Sequence, residues 1–291
     1  MLHTMSKIIA WYKRPNKGFI ADTLESLIVI IPVVFLIKTY VFGLYQVPTC
    51  SMENTMLVGE RFFADKMTQF FRGPKHGEII AFNHPLYDYS KNPVINWYQR
   101  YLDLSITSWT KRVIGVPGDH VQGRIEDGKP VVYRNGEKLD EPYVNQYPIV
   151  ELYKPELVEN NNFGKGLVRR TYDPSKKMNE QPFYRISPVE IARAKQYTSK
   201  SIYYPNDCEE DKDIFDVQLG ENQYWMMGDN RRGSWDSRGW GALDGKLIHG
   251  RILFRLWSSD SDESWWIFDL IKHPIDFWQR MRWSRCLNVM R

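Results

Sequence analysis

Ser51, in the stretch Val-Pro-Thr-Cys-Ser-Met of residues 47–52, carries a hydroxyl that is a poor nucleophile at neutral pH unless a neighbouring base takes its proton. No histidine–aspartate pair accompanies it by motif. Lys111 opens the run "KRVIGVPGD", directly after Trp109 and Thr110. A lysine serves as a general base only if burial brings its pKa from about 10.4 toward 7, because desolvation disfavours the ammonium form. The alternating apolar residues after Lys111 would desolvate one face of a strand there. Taken alone, a lysine beside apolar residues is more often simply solvated. A third stretch, "GDNRRGSWDSRGWGAL" at 228–243, adds a further serine, Ser234, among charged turn residues.

Metal chemistry finds little to work with. Cys50, Cys208 and Cys286 are far apart and odd in number, which is neither a disulfide framework nor a CxxC-type site. The six histidines show no HxxxH or HExxH spacing. The expectation is chemistry without a metal or another cofactor.

The elements that must position these residues begin with an anchor. Of the 19 residues Leu27 to Tyr45, only Pro32, Lys38, Thr39 and Gly43 are neither apolar nor aromatic. That length suits a hydrocarbon core roughly 30 Å thick. Pro32 is tolerable in a membrane helix, and Lys38 can snorkel to the interface. Lys7, Lys13, Arg14 and Lys17 precede the segment, so the positive-inside rule leaves the N-terminus, 1–22, in the cytoplasm and places everything beyond the anchor, 23–46, on the far side. "GLYQVPTCS" offers no small-x-small cleavage site, and Cys50 lacks the small residues of a lipoprotein signal, so an uncleaved single span is expected rather than a removed leader. A buried helix of a soluble domain is the competing reading.

Beyond the anchor the pattern is mainly β. The runs 61–66, 77–82, 111–116, 131–139, 222–227 and 247–257 are rich in β-branched and aromatic residues, and Asn135-Gly136 is a strong hairpin signal. An antiparallel, barrel-like β domain in two parts, 47–141 and 222–260, is predicted. Residues 142–221 read as an inserted polar subdomain with one helix at 187–197, where Ser187 is N-cap and Glu190 the capping-box acid. The last segment, 261–291, mixes Trp265, Trp266, Phe268, Phe277, Trp278 and Trp283 with Lys272, Arg280, Arg282 and Arg285. It reads either as a membrane-interface segment or as a final element packed on the β domain. A mean hydropathy of −0.49 excludes a polytopic membrane protein. A net charge of +4 gives no case for nucleic acid, which calls for a clustered basic face.

Together these stretches resemble the bacterial type I signal peptidases, membrane-bound Ser/Lys proteases. The serine box of that family, P-S-x-S-M-x-P-T-L, is similar to Pro48 through Met56. Its G-D-I-V-V-F box is similar to Gly77–Phe82. Its lysine box, K-R-V-x-G-x-P-G-D, matches Lys111–Asp119, and its last box, G-D-N-R-x-x-S-x-D-S-R-x-W-G, matches Gly228–Gly241. The match covers 46–141 and 222–257 but neither the insertion nor the last segment.

The resemblance implies Ser51 as nucleophile and Lys111 as general base, with Ser234 orienting the lysine amine. The Ser51 N–H and the Thr49 hydroxyl would form the oxyanion hole. Asp236 and Arg238 would be a structural ion pair, with Asp229, Asn230 and Arg231 shaping the turn, and Met52, Phe82 and Thr110 would lie near the substrate pocket. It also implies signal-peptide-bearing preproteins and the lipid bilayer as partners, and the bacterial inner membrane as location. Three departures stand out: Thr49 for the usual Ser, Cys50 for a small residue, and Asn54 for Pro. Two other functions fit the same pattern. One is a specialised Ser/Lys maturation peptidase of the same fold; the other is a catalytically silent, membrane-anchored binding protein, which would be expected to have lost Ser51, Lys111 or Ser234.

Overall fold

The computed structural model describes residues 18–47, 49–57, 59–101, 103, 108–127, 129–145, 149–153, 167–171, 202–203, 210–259 and 266–290. The chain divides into two compact units between Phe42 and Gly43.

The first unit holds the helix Phe19–Leu36, extended by a π-helical turn over Ile37–Val41. Thr23–Val41 has a mean hydropathy of 2.1 and is, among the described residues, the one helix long and apolar enough to cross a membrane. Ile28, Ile31 and Val34 are exposed, as side chains facing lipid would be. The anchor expected over 23–46 is shorter than the apolar run suggests. Phe42–Gln46 leave the helix and form a strand, β1. Its alternation of Phe42, Leu44 and Gln46 with Gly43 and Tyr45 suits a pleated edge as well as a membrane, and hydropathy alone does not separate the two.

The second unit is built on an antiparallel sheet. Its strands are β1, β2 (Arg61–Asp65), β3 (Ile79–Asn83), β4 (Ser108–Gly115), β12 (Gln223–Met227), β13 (Leu243–Asp244), β14 (Ile248–Trp257) and β15 (Asn288–Val289). The order is β1-β2-β14-β3-β4-β12-β13, with β15 pairing β14. A second sheet, β11-β5-β6-β7, joins Phe215–Gln218 to His120–Glu126, Lys129–Arg134 and Glu137–Lys138. No closed barrel forms among the described residues. Asn135 and Gly136 both take positive φ, 54° and 83°, as the tight hairpin turn between β6 and β7 demands.

Why "IIAF" is a continuous apolar run becomes clear from its packing. Ile80 and Phe82 enter a core with Val113, Tyr224, Met226 and Leu247, while Ile79 and Ala81 enter another with Met52, Met56, Phe62 and Ile252. A strand buried on both faces needs no polar alternation. A third cluster, Ile114, Val121, Val132, Leu219, Trp225 and Met227, joins β4 and β12 to the second sheet.

The insertion is smaller than 142–221. Strands β8 (Ile149–Tyr153), β9 (Leu167–Thr171) and β10 (Ile202–Tyr203) form a sheet of their own. Residues 215–218, by contrast, are β11 of the second sheet, and Asn145 N–H bonds the Asp229 carbonyl at 2.9 Å. The helix expected at 187–197 lies outside the described residues. The last segment packs its inner side: β15 pairs β14, Phe277 and Asp269 are buried, and Arg280 meets Asp269 at 2.7 Å. Its outer side keeps Phe268, Ile271, Ile275, Trp278 and Trp283 exposed, with the last two rings stacked 6.0 Å apart.

Candidate active site

Ser51 sits in the 3-10 turn Cys50–Met52 at the start of a short loop. The ends of that loop are tied: Val47 N–H donates to Glu60 O at 3.0 Å, and Gly59 N–H donates to Val47 O at 3.1 Å. Lys111 lies in β4, opposite Ile80 of β3. The two side chains, 60 residues apart in sequence, meet with Lys111 Nζ 2.8 Å from Ser51 Oγ. Both residues are buried, at 4% and 8% exposure, so water competes little for this hydrogen bond. Lys111 Nζ also donates to the Thr110 carbonyl at 3.2 Å, and the Thr49 hydroxyl is 3.4 Å from Ser51 Oγ.

The 228–241 stretch wraps this pair. Asn230 N–H bonds the Ser51 carbonyl at 3.1 Å, so the last box fixes the backbone of the serine turn directly. Asp229 is held by Arg112, the residue after Lys111, in a bidentate pair of 2.8 and 2.7 Å that is almost wholly buried. Arg112 also donates to Gly77 O and lies 3.9 Å over the Tyr143 ring. Arg231 reaches Glu141 at 2.6 Å. Asp236 and Arg238 form an ion pair at 2.9 Å, and Arg238 also holds Asp213 at 2.7 Å and the Arg231 carbonyl at 2.6 Å. Burial alone would raise the Asp236 carboxyl; the charge and hydrogen bonds of Arg238, with the Gly228 N–H, outweigh it and hold the group below the usual carboxylate range. The Ser234 hydroxyl is buried near that carboxylate without reaching hydrogen-bond geometry with it or with any described residue.

Gly228 explains itself by proximity. A Cβ there would stand 2.3 Å from Ser234 Oγ and 2.4 Å from the Ser51 carbonyl oxygen. One of those atoms is backbone and cannot swing aside. Gly228→Ala is therefore expected to push the serine turn from the lysine and lower kcat about 100-fold, as misplacement near 1 Å does. Steady-state kinetics beside a thermal melt checks this.

A family model described as "Signal peptidase, peptidase S26" matches residues 20–257. The chain belongs to that family. Signal peptidase I of Buchnera aphidicola subsp. Baizongia pistaciae is 24% identical over 267 residues, covering 81% of this chain and 76% of the relative. The signal peptidase I of Bacillus amyloliquefaciens is 26% identical over 243 residues, covering 83% and 90%. That of Streptococcus pneumoniae reaches 32% over 147 residues, covering 50% and 59%. Among solved structures, a signal peptidase I from Enterococcus faecalis is 19% identical, spans 62% of this chain and 97% of its own, and superposes with a TM-score of 0.28. The resemblance carried by the four boxes is thus to the family that the chain belongs to, a family of serine endopeptidases.

Within this signal peptidase family member, two of the residues expected near the pocket are packed into the core. Phe82 has no exposure and packs on Trp240, because β3 is covered on both faces. Met52 is 2% exposed, among Val47, Met56 and Phe62. Thr110 is half-buried on β4, paired with Ala81. Sequence reasoning missed an aromatic wall: Trp109 lies 5.4 Å from the exposed ring of Trp235 and 5.0 Å from His84, and Lys111 Nζ stands 5.8 Å over Trp109. Trp109 and Lys111 are two apart on one strand, so the period of two already placed them on one face. Among the described residues no three His, Cys, Asp or Glu side chains gather as a metal site would need.

Proposed function

We propose that this chain is a membrane-anchored serine endopeptidase that removes N-terminal signal peptides, with Ser51 as nucleophile and Lys111 as general base. The observation that carries the reading is the 2.8 Å approach of Lys111 Nζ to Ser51 Oγ in a buried setting. Desolvation penalises the ammonium, and a base must be an amine. Lys111 takes the Ser51 proton as Oγ attacks the scissile carbonyl carbon. The oxyanion forms toward the Ser51 N–H and the Thr49 hydroxyl. Lys111 then returns the proton to the leaving amine, and water, deprotonated in turn by Lys111, hydrolyses the acyl-enzyme. By the family resemblance Ser234 is assigned the orienting of the amine, although its buried hydroxyl makes no hydrogen bond to Lys111 here.

The substrate adds as a strand, and the pairing supports one edge for it. β3 is flanked by β14 and β4 along its length. β12, however, pairs β4 only over Arg112–Gly115. Ser108–Lys111 therefore present an edge that no described strand covers, and it ends at the base. A span ending at Val41, ten residues before Ser51, fits a cleavage site emerging from lipid. By the positive-inside rule the catalytic unit faces away from the cytoplasm, across a bacterial inner membrane. The exposed aromatic side of the last segment suits a second lipid contact.

The test is cleavage of a secretory preprotein by the detergent-solubilised chain. The wild type should release the mature protein after a small-x-small site, with activity rising toward neutral or mildly alkaline pH as the amine deprotonates, and undiminished by EDTA. Ser51→Ala should release nothing. A folded wild type that leaves the preprotein intact would defeat the reading.

A further inference from the structure

Glu60 has no exposure, and its carboxylate lies between two arginines from distant parts of the chain. Arg285, in the turn Trp283–Arg285, donates from Nε to Oε1 at 2.7 Å and reaches Oε2 from Nη2 at 3.3 Å. Arg255, on β14, brings Nε within 3.0 Å of Oε2, and the Leu57 N–H donates to the same oxygen at 2.9 Å. The guanidiniums also grip the backbone. Arg285 Nη2 donates to the Asn54 and Thr55 carbonyls, both at 3.1 Å, and Arg255 Nη2 donates to Thr55 O at 2.6 Å. These carbonyls follow Ser51 by three and four residues, inside a loop whose Met56 N–H turns back to the Met52 carbonyl at 2.8 Å. The nucleophile and the gripped carbonyls thus share one short, closed stretch of backbone.

We propose that Arg285 is a positioning residue for the reaction: through Glu60 and the Asn54 and Thr55 carbonyls it sets the loop that presents Ser51 Oγ to Lys111. The inference rests on the peptidase reading above. Arg285 touches no reacting atom; it acts through the loop. The arrangement needs a planar fork, because one side chain bridges a carboxylate and two carbonyls at once, whereas a lysine delivers a single point charge. Its Arg255 neighbour does not replace it, since both guanidiniums share one carboxylate and the Asn54 carbonyl is reached by Arg285.

The experiment compares the full-length wild type with Arg285→Lys, Glu60→Gln and the double variant. It measures kcat and KM on a preprotein, the melting temperature, and amide hydrogen exchange at Met56 and Leu57. Arg285→Lys should remain folded, keep KM near the wild-type value, and lower kcat about 10- to 100-fold, the scale set by a small misplacement of reacting groups. Exchange at Met56 and Leu57 should accelerate, and the double variant should be no slower than the worse single one, as for residues acting as one unit. Wild-type kcat in folded Arg285→Lys overturns the proposal, as does a loss of activity that only tracks the unfolded fraction. A wild type that cleaves nothing defeats the peptidase reading alone; the exchange measurement then still decides the clamp, and unchanged exchange in Arg285→Lys defeats it.

Discussion

Lys111→Met is expected to give a folded chain that does not cleave: kcat on a preprotein falls by roughly 10³-fold or more while the melting temperature holds or rises. Methionine fills a similar volume without the cost of burying a polar head group, so the site, at 4% exposure, loses its base and gains no cavity. The hydrogen bonds to Ser51 Oγ and Thr110 O are lost, but the strand pairing of Lys111 with Ile80 is backbone and persists. Kinetics and a thermal melt on the same preparation separate the two effects. Substantial cleavage by a well-folded Lys111→Met would mean that another group takes the proton.

Arg112→Ala carries the largest expected cost in stability. It strands the Asp229 carboxylate, whose side chain is 1% exposed, and it removes the 2.7 Å bond to Gly77 O and the stacking on Tyr143. Breaking a buried pair by deleting one partner costs about 3–5 kcal/mol. Against a domain stability of roughly 5–15 kcal/mol, that is a large share. Replacing both partners by apolar residues of similar size, Arg112→Met with Asp229→Leu, should recover most of the loss, since no charge is then left without its counterion. Urea unfolding of the two variants beside the wild type checks this. A single variant as stable as wild type would show that Asp229 finds another counterion or takes up a proton.

The contrast between those two neighbours shows what the amino-acid order could and could not reveal. Strands β2, β3, β4, β12 and β14 were readable because their apolar and aromatic runs are long and are bounded by turn residues such as Val116-Pro117-Gly118-Asp119. The Asn135-Gly136 turn was readable from the dipeptide alone. Ser51 and Lys111 were singled out by resemblance; no local pattern says that residues 60 apart will meet. The partner of Arg112 was not readable, since it depends on the register that sets Met227 opposite Arg112. The same holds for Glu141 with Arg231 and Asp213 with Arg238, where a flexible side chain can choose among several acids.

Two expectations met the same ambiguity. Phe42–Gln46 were read into the anchor, and Phe82 was read near a pocket, because apolar character names no neighbour: lipid, core and substrate all select it. In each case sheet pairing decides, by giving β1 a partner in β2 and β3 a partner on either side. Arg285 is the opposite case. Its cationic side chain suggested a water or lipid surface, yet its guanidinium ends on a carboxylate with no exposure.

Synthesis runs in one direction, and the clamp on the serine loop does not respect it. Arg285 is made 225 residues after Glu60. A nascent chain therefore carries its nucleophile long before the brace around it exists, and contacts of such long sequence separation form slowly. On the proposed clamp, full activity would come only with the last stretch of synthesis, which delivers the arginine that braces the serine loop.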